Sequence, residues 1–206
     1  MTKFSATLQA QMRQEYRDQY VNYKGLKKKI KKTREQAMGT LKDNQSLKQR
    51  VQEIKQNPNE SQAYEDLMMT PVGEAQGEFL GMLDNEVERT SDFFASLTRK
   101  GIRDCNMILK NRGEWTNSHD HLLNAVIEKL TTLGNELVHS CHFAELNITA
   151  VRKILKKFDK KYDAISIPIA QRVISNKMRQ PNSKLLQLLN LKVVGDIYLI
   201  LEDCHI

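Results

Sequence analysis

The chain has 206 residues, 40% of them hydrophobic, enough for one globular domain with a real core and a modest appendage. Its formal net charge of +7 is moderate, and no apolar run reaches the ~18 residues that a membrane-spanning helix requires. Cys105, Cys141 and Cys204 are too few and too scattered for a disulfide framework, and the N-terminus lacks a signal-peptide hydrophobic stretch, so the expected location is the cytosol or the cytosolic face of a larger assembly.

Four prolines, nine glycines and little strand-like alternation predict an all-α chain. Residues 4–33 read as one interrupted helix or two consecutive ones, with Leu8, Met12, Tyr16, Tyr23, Leu26 and Ile30 at helical spacing. Gly25 inside that pattern reads as a weak spot, or as room for a close approach. Residues 34–76 are polar and contain Pro58, Pro71 and Gly73; they predict a mobile insert in which Leu41, Leu47, Val51 and Ile54 give one short exposed helix. A strong helix follows over 77–112, carried by Phe79, Leu80, Leu83, Val87, Phe94 and Leu97. After a turn at RGEWTNSHD, residues 120–140 are helical. A break is expected near HSCHFAELN, with Asn147 or Thr149 capping a separate helix over 148–162. A helix over about 165–178 stops before Pro181, and residues 183–206 form a C-terminal helical segment. The whole of 1–206 reads as one domain.

The last part of that sequence carries the clearest chemistry. Lys153, Lys156, Lys157 and Lys160, in TAVRKILKKFDKKYD, fall at i, i+3, i+4 and i+7, so a helix sets four ammonium groups on one stripe. Val151, Ile154, Leu155, Phe158 and Tyr162 form the apolar side of the same helix. Like charges at this spacing repel, and an anion outside the helix relieves the repulsion. A second basic run, VNYKGLKKKIKKTR at 21–34, has seven positive charges and no acid, whereas 78–92 is acidic; the basic charge is local, as a defined anion site requires. Tyr23 and Lys27 stand at i, i+4 in that run, where a phenol donates to a phosphate oxygen while lysines supply charge. Lysine is a flexible point charge, which suits a ligand with phosphates pointing in several directions. Taken alone, each run is more often a solvated face, and Tyr23 alone is more often a core tyrosine.

His139, Cys141 and His142 in HSCH are too close together for a tetrahedral metal site and have no second ligand pair at suitable spacing, so no metal is expected. No Gly-rich phosphate loop, nucleophile motif or catalytic triad order is present, and the chain reads as non-enzymatic, without a cofactor and without catalytic residues.

Three blocks together resemble the SPX domain family: KFSATLQAQMRQEYRDQYVNYKGLKKKIKK, GEFLGMLDNEVERTSDFF and LNITAVRKILKKFDKKYD, in the family's order and rough spacing. The resemblance implies a small N-terminal helical hairpin packed on a bundle with two long helices, followed by short C-terminal helices. It also implies a receptor for inositol polyphosphates, inositol hexakisphosphate and above all inositol pyrophosphates, which reports phosphate status. The family's phosphate-binding tyrosine and lysine fall on Tyr23 and Lys27, and its later lysines on Lys153, Lys156, Lys157 and Lys160. Lys157 is expected to join Tyr23 and Lys27 in one cluster, with Lys153, Lys156 and Lys160 beside it. Lys3 matches a basic residue that closes the site, and Lys28 or Lys31 is an additional contributor. Tyr16 stands where the family often has tryptophan, which reads as a core substitution.

The implied partners are the inositol phosphate itself and a regulated partner protein, or a fused transporter or enzyme domain. Two competing readings use the same basic faces. Nucleic acid fits the charge, but aromatic content is only 6% and no stacking platform is evident. Membrane phosphoinositides would require Val21, Tyr23, Leu26 and Ile30 to enter the bilayer, where the core needs them.

Overall fold

The computed structural model describes residues 3–56, 60–110, 120–163 and 165, and among these every regular element is helical. Helix α1 (Lys3–Gln11) is followed by a 3-10 segment (Gln14–Gln19) and α2 (Tyr23–Asp43). Short helices α3 (Gln45–Gln56) and α4 (Glu60–Met68) lead to two long ones, α5 (Pro71–Lys110) and α6 (Asp120–Tyr162).

The helix starts are written locally. Asn22 caps α2, its Oδ1 accepting from the Gly25 amide at 2.8 Å. A Cβ on residue 25 would lie 2.7 Å from the Asn22 side chain, so Gly25 makes room for a cap and not for a ligand. Asn44 caps α3 in the same way through the Leu47 amide at 2.9 Å. Thr70 starts α5: its hydroxyl accepts from the Gly73 amide and donates to the Leu67 carbonyl, and Pro71 takes the first helical position, where its missing N–H costs nothing. A Cβ on residue 73 would stand 2.1 Å from the Leu67 carbonyl oxygen, so this turn requires glycine.

Pairings across helices set their directions. Asn22 and Lys29 reach Glu86 and Glu78 in turn, so α2 and α5 are antiparallel. Phe79 stacks on Phe158 with ring centres 4.3 Å apart while Lys100 pairs with Glu136, so α5 and α6 are antiparallel too. It follows that α2 and α6 run parallel. Leu26, Ile30 and Ala37 of α2, Phe79 and Leu83 of α5, and Phe143, Ile154, Phe158 and Tyr162 of α6 share one buried core. Full burial of such a side chain contributes about 1.5–3 kcal/mol. Beyond it, among the described residues, the α5–α6 arms hold a small second cluster around Cys105 and Leu133.

The helical hairpin and the two long helices match the sequence expectation, with three differences. The polar stretch 34–76 is not one short exposed helix: α2 continues to Asp43, α3 and α4 follow, and Ala37, Val51, Ile54, Ala63 and Leu67 are buried. The expected break near HSCHFAELN is absent, because Phe143, Ala144, Leu146 and Asn147 are all buried and packing overrides weak local propensity. Neither Asn147 nor Thr149 is a cap; both lie inside α6, and the Asn147 amide nitrogen donates to the Phe143 carbonyl at 2.7 Å. The expected turn at RGEWTNSHD, the helix over 165–178 and the segment 183–206 lie essentially outside the described residues.

Candidate anion-binding face

The turn that launches α2 is held from both long helices. The Val21 amide donates to Asn147 Oδ1 of α6 at 2.8 Å, in a fully buried setting. From α5, Glu86 accepts the Asn22 amide at 2.8 Å, Thr90 donates to the Gln19 carbonyl, and Arg89 donates to the carbonyls of Asp18 and Tyr20 while pairing with Glu86. These contacts fix where α2 begins, and with it the axial position of Tyr23 and Lys27.

Thirteen residues after Val21, Arg34 Nε donates to the Lys161 carbonyl at 2.9 Å, fourteen residues after Asn147. The two helices therefore stay level over about 20 Å. In this register Lys27 lies level with Lys153, and Lys31 with Lys157. At about 100° per residue, Tyr23, Lys27 and Arg34 fall within about 40° of one another on the flank of α2 toward α6. The two basic runs, separated by about 130 residues of sequence, thus share one face.

The expected site residues differ in setting. Lys27 and Lys157 are half-buried, at the seam. Lys153, Lys156 and Lys160 are exposed on α6, and Lys156 sits farthest round from Lys157. Tyr23 is buried, and burial pushes its phenol above the ordinary 10.0, so it stays a neutral donor at physiological pH. Lys31 is exposed and lies 3.7 Å from Glu35; Lys28 is exposed and turned away from α6. Lys29, on the α5 side, is committed to Glu78 at 2.5 Å and holds that carboxyl below its usual range. Lys3 is the first residue of α1, next to Phe4.

Two contributors escape the sequence reading. Phe4 packs edge-on against Tyr23, with ring centres 5.0 Å apart, and the Lys153 ammonium stands 4.2 Å from the centre of the Phe4 ring. Such an exposed cation–ring contact is worth about 0.5–1 kcal/mol. Arg34 belongs to the same flank, and its spacing from Tyr23 and Lys27 was the available signal.

Other candidate sites gain nothing. His139 and His142 are exposed and Cys141 is half-buried, its thiol pushed up by burial; no group of three or more metal-ligating side chains gathers among the described residues. Val21, Tyr23, Leu26 and Ile30 are all buried, so none is free to enter a bilayer. A cavity of about 490 Å³ lined in part by Tyr23 mixes Arg17, Lys24 and Arg89 with Asp18 and Glu86, which does not single out a polyanion.

A family model of the SPX domain matches residues 2–39 and 122–173, the segments that contain the start of α2 and the lysine stripe. SPX domain-containing protein 2 of Arabidopsis thaliana is 26% identical over 176 residues, 84% of this chain. An SPX domain-containing membrane protein of Oryza sativa subsp. indica is 25% identical over 198 residues, 96% of this chain. Among solved structures, the SPX domain of Chaetomium thermophilum glycerophosphodiester phosphodiesterase 1, in complex with inositol hexakisphosphate, superposes with a TM-score of 0.65 at 23% identity, covering 98% of this chain and 96% of that one. Sequence and fold alike liken the chain to the SPX domain family. At that identity the structural likeness is one of fold. The block GEFLGMLDNEVERTSDFF lies outside the residues that the SPX model matches; here its Glu86 and Arg89 hold the turn before α2. The chain spans 57% of the length of the Arabidopsis relative and 24% of the Oryza one. No helix among the described residues is long and apolar enough to cross a membrane.

Proposed function

We propose that this chain is a non-enzymatic sensor domain that binds inositol polyphosphates, inositol pyrophosphates and inositol hexakisphosphate, on the face shared by α2 and α6. The observation that supports the reading is the level, parallel pairing of the two helices, in which Lys27 stands level with Lys153 and Lys31 with Lys157. The solved relative bound to inositol hexakisphosphate supports the choice of ligand. Tyr23, Lys27 and Lys157 form the inner cluster; Lys153, Lys156 and Lys160 widen it, Lys3 closes it from α1, and Lys28 or Lys31 adds charge at the edge.

The physics favours large polyanions. Each exposed ammonium–phosphate contact is modest and is screened over ~8 Å at physiological ionic strength. A ring bearing six or more phosphates reaches several of them at once, while orthophosphate reaches one or two. The ligand also relieves repulsion between the two basic helices and biases how they sit relative to each other. That bias is what an attached domain or a partner protein would sense as phosphate status.

Titration calorimetry with inositol hexakisphosphate tests the assignment. Lys157→Ala and Tyr23→Phe should each weaken binding by about 5–20-fold while leaving the unfolding midpoint within a few degrees of the parent. Binding unchanged in both variants would overturn the site, as would equal affinity for orthophosphate.

A further inference from the structure

Most lysines on the basic surface of α2 and α6 stand in water or beside a carboxylate, and these settings have different consequences. Glu78 holds Lys29 in place but cancels its charge. Glu35 lies near Lys31 with the same effect. Lys153 instead has its ammonium over the face of Phe4, 4.2 Å from the ring centre. An aromatic face attracts a cation through its quadrupole and carries no net charge, so it orients the ammonium without neutralising it.

The ring itself is held. Phe4 is half-buried, packs against the main core, and meets the buried Tyr23 ring at 76° and 5.0 Å. One side chain of α1 therefore touches a proposed ligand contact on α2 and another on α6. Lys153 remains exposed, so the side of its ammonium away from the ring is open to an anion.

We propose that Phe4 is a positioning residue of the anion-binding face: its ring holds the Lys153 ammonium ready for a ligand phosphate, and Lys153 meets the phosphate without leaving the ring. This rests on the reading of the face as an inositol polyphosphate site. A lysine side chain loses much rotamer freedom when it is fixed on a ligand. Phe4 has already ordered Lys153 before the ligand arrives, and the affinity gain comes from that pre-organisation.

A double-mutant cycle tests it, with inositol hexakisphosphate titrated into the full chain and each variant's fold checked by thermal unfolding. Phe4→Leu should weaken binding about three-fold in the parent background, the scale of one cation–ring contact. In the Lys153→Met background Phe4→Leu should have no further effect, and Phe4→Tyr should bind like the parent. The salt dependence separates roles: Phe4→Leu should leave the slope of log affinity against log salt unchanged, whereas Lys153→Met should reduce it. An equal loss from Phe4→Leu in both backgrounds would make Phe4 merely structural, and tighter binding by Phe4→Leu would show the ring competing with the ligand; either overturns the inference alone. A parent chain that does not bind inositol hexakisphosphate overturns the functional reading and this inference with it.

Discussion

Asn147 joins α6 to the start of α2 through one side chain, its Oδ1 taking the Val21 amide while its Nδ2 bonds the Phe143 carbonyl one turn back. Both bonds are buried. Asn147→Ala leaves the Val21 amide without its acceptor, at a cost of about 1–3 kcal/mol. Urea unfolding should show a loss in that range, and a loss below about 0.3 kcal/mol would mean that the contact does not hold the turn. At this scale the charged face of the last long helix was legible, because lysines at i, i+3, i+4 and i+7 beside an apolar stripe fix a helix with one basic side. Asn147 was not: an asparagine between weak helix formers reads as a cap, and only its partner 126 residues away reveals otherwise. Phe4 was only half legible: it stands four residues before Leu8 on the same stripe, but that spacing does not show which lysine its ring meets.

Helix identity was easier to read than helix extent. The stripe from Phe79 to Leu97 fixed α5, and the structure extends it back to Pro71, where Thr70, Pro71 and Gly73 build its first turn. The region before it was misread because few apolar residues do the packing: α3 buries only Val51 and Ile54 among its twelve residues and keeps a polar outer side. The two helices expected over 120–162 are one, held together by burial that local propensity does not report. Gly73→Ala tests the α4–α5 junction. Its Cβ would overlap the Leu67 carbonyl, so a loss of about 1–3 kcal/mol is expected in urea unfolding. Affinity for inositol hexakisphosphate should stay within about two-fold, because the basic face lies on α2 and α6; an unchanged stability would contradict the turn geometry described.

For the whole molecule, the informative quantity is the arrangement of charge. A net charge of +7 on 206 residues says little by itself, and neither lysine run excludes a solvated surface. Parallel alignment of α2 with α6 adds what neither run has alone, since the two helices, held level by Asn147 and Arg34, concentrate positive charge on one face. Periodicity cannot supply such a register; the family resemblance implied only that the two basic segments meet, and the cross-helix hydrogen bonds set how they align. The relatives described above extend well beyond the length this chain covers. The most direct test is a ¹H–¹⁵N NMR titration of the chain with inositol hexakisphosphate. Amides of residues 23–31 and 150–160 should shift together in one saturable process, with those of 97–110 and 124–137 unmoved. Shifts confined to one of the two helices, or two processes of different affinity, would contradict a single face built from both.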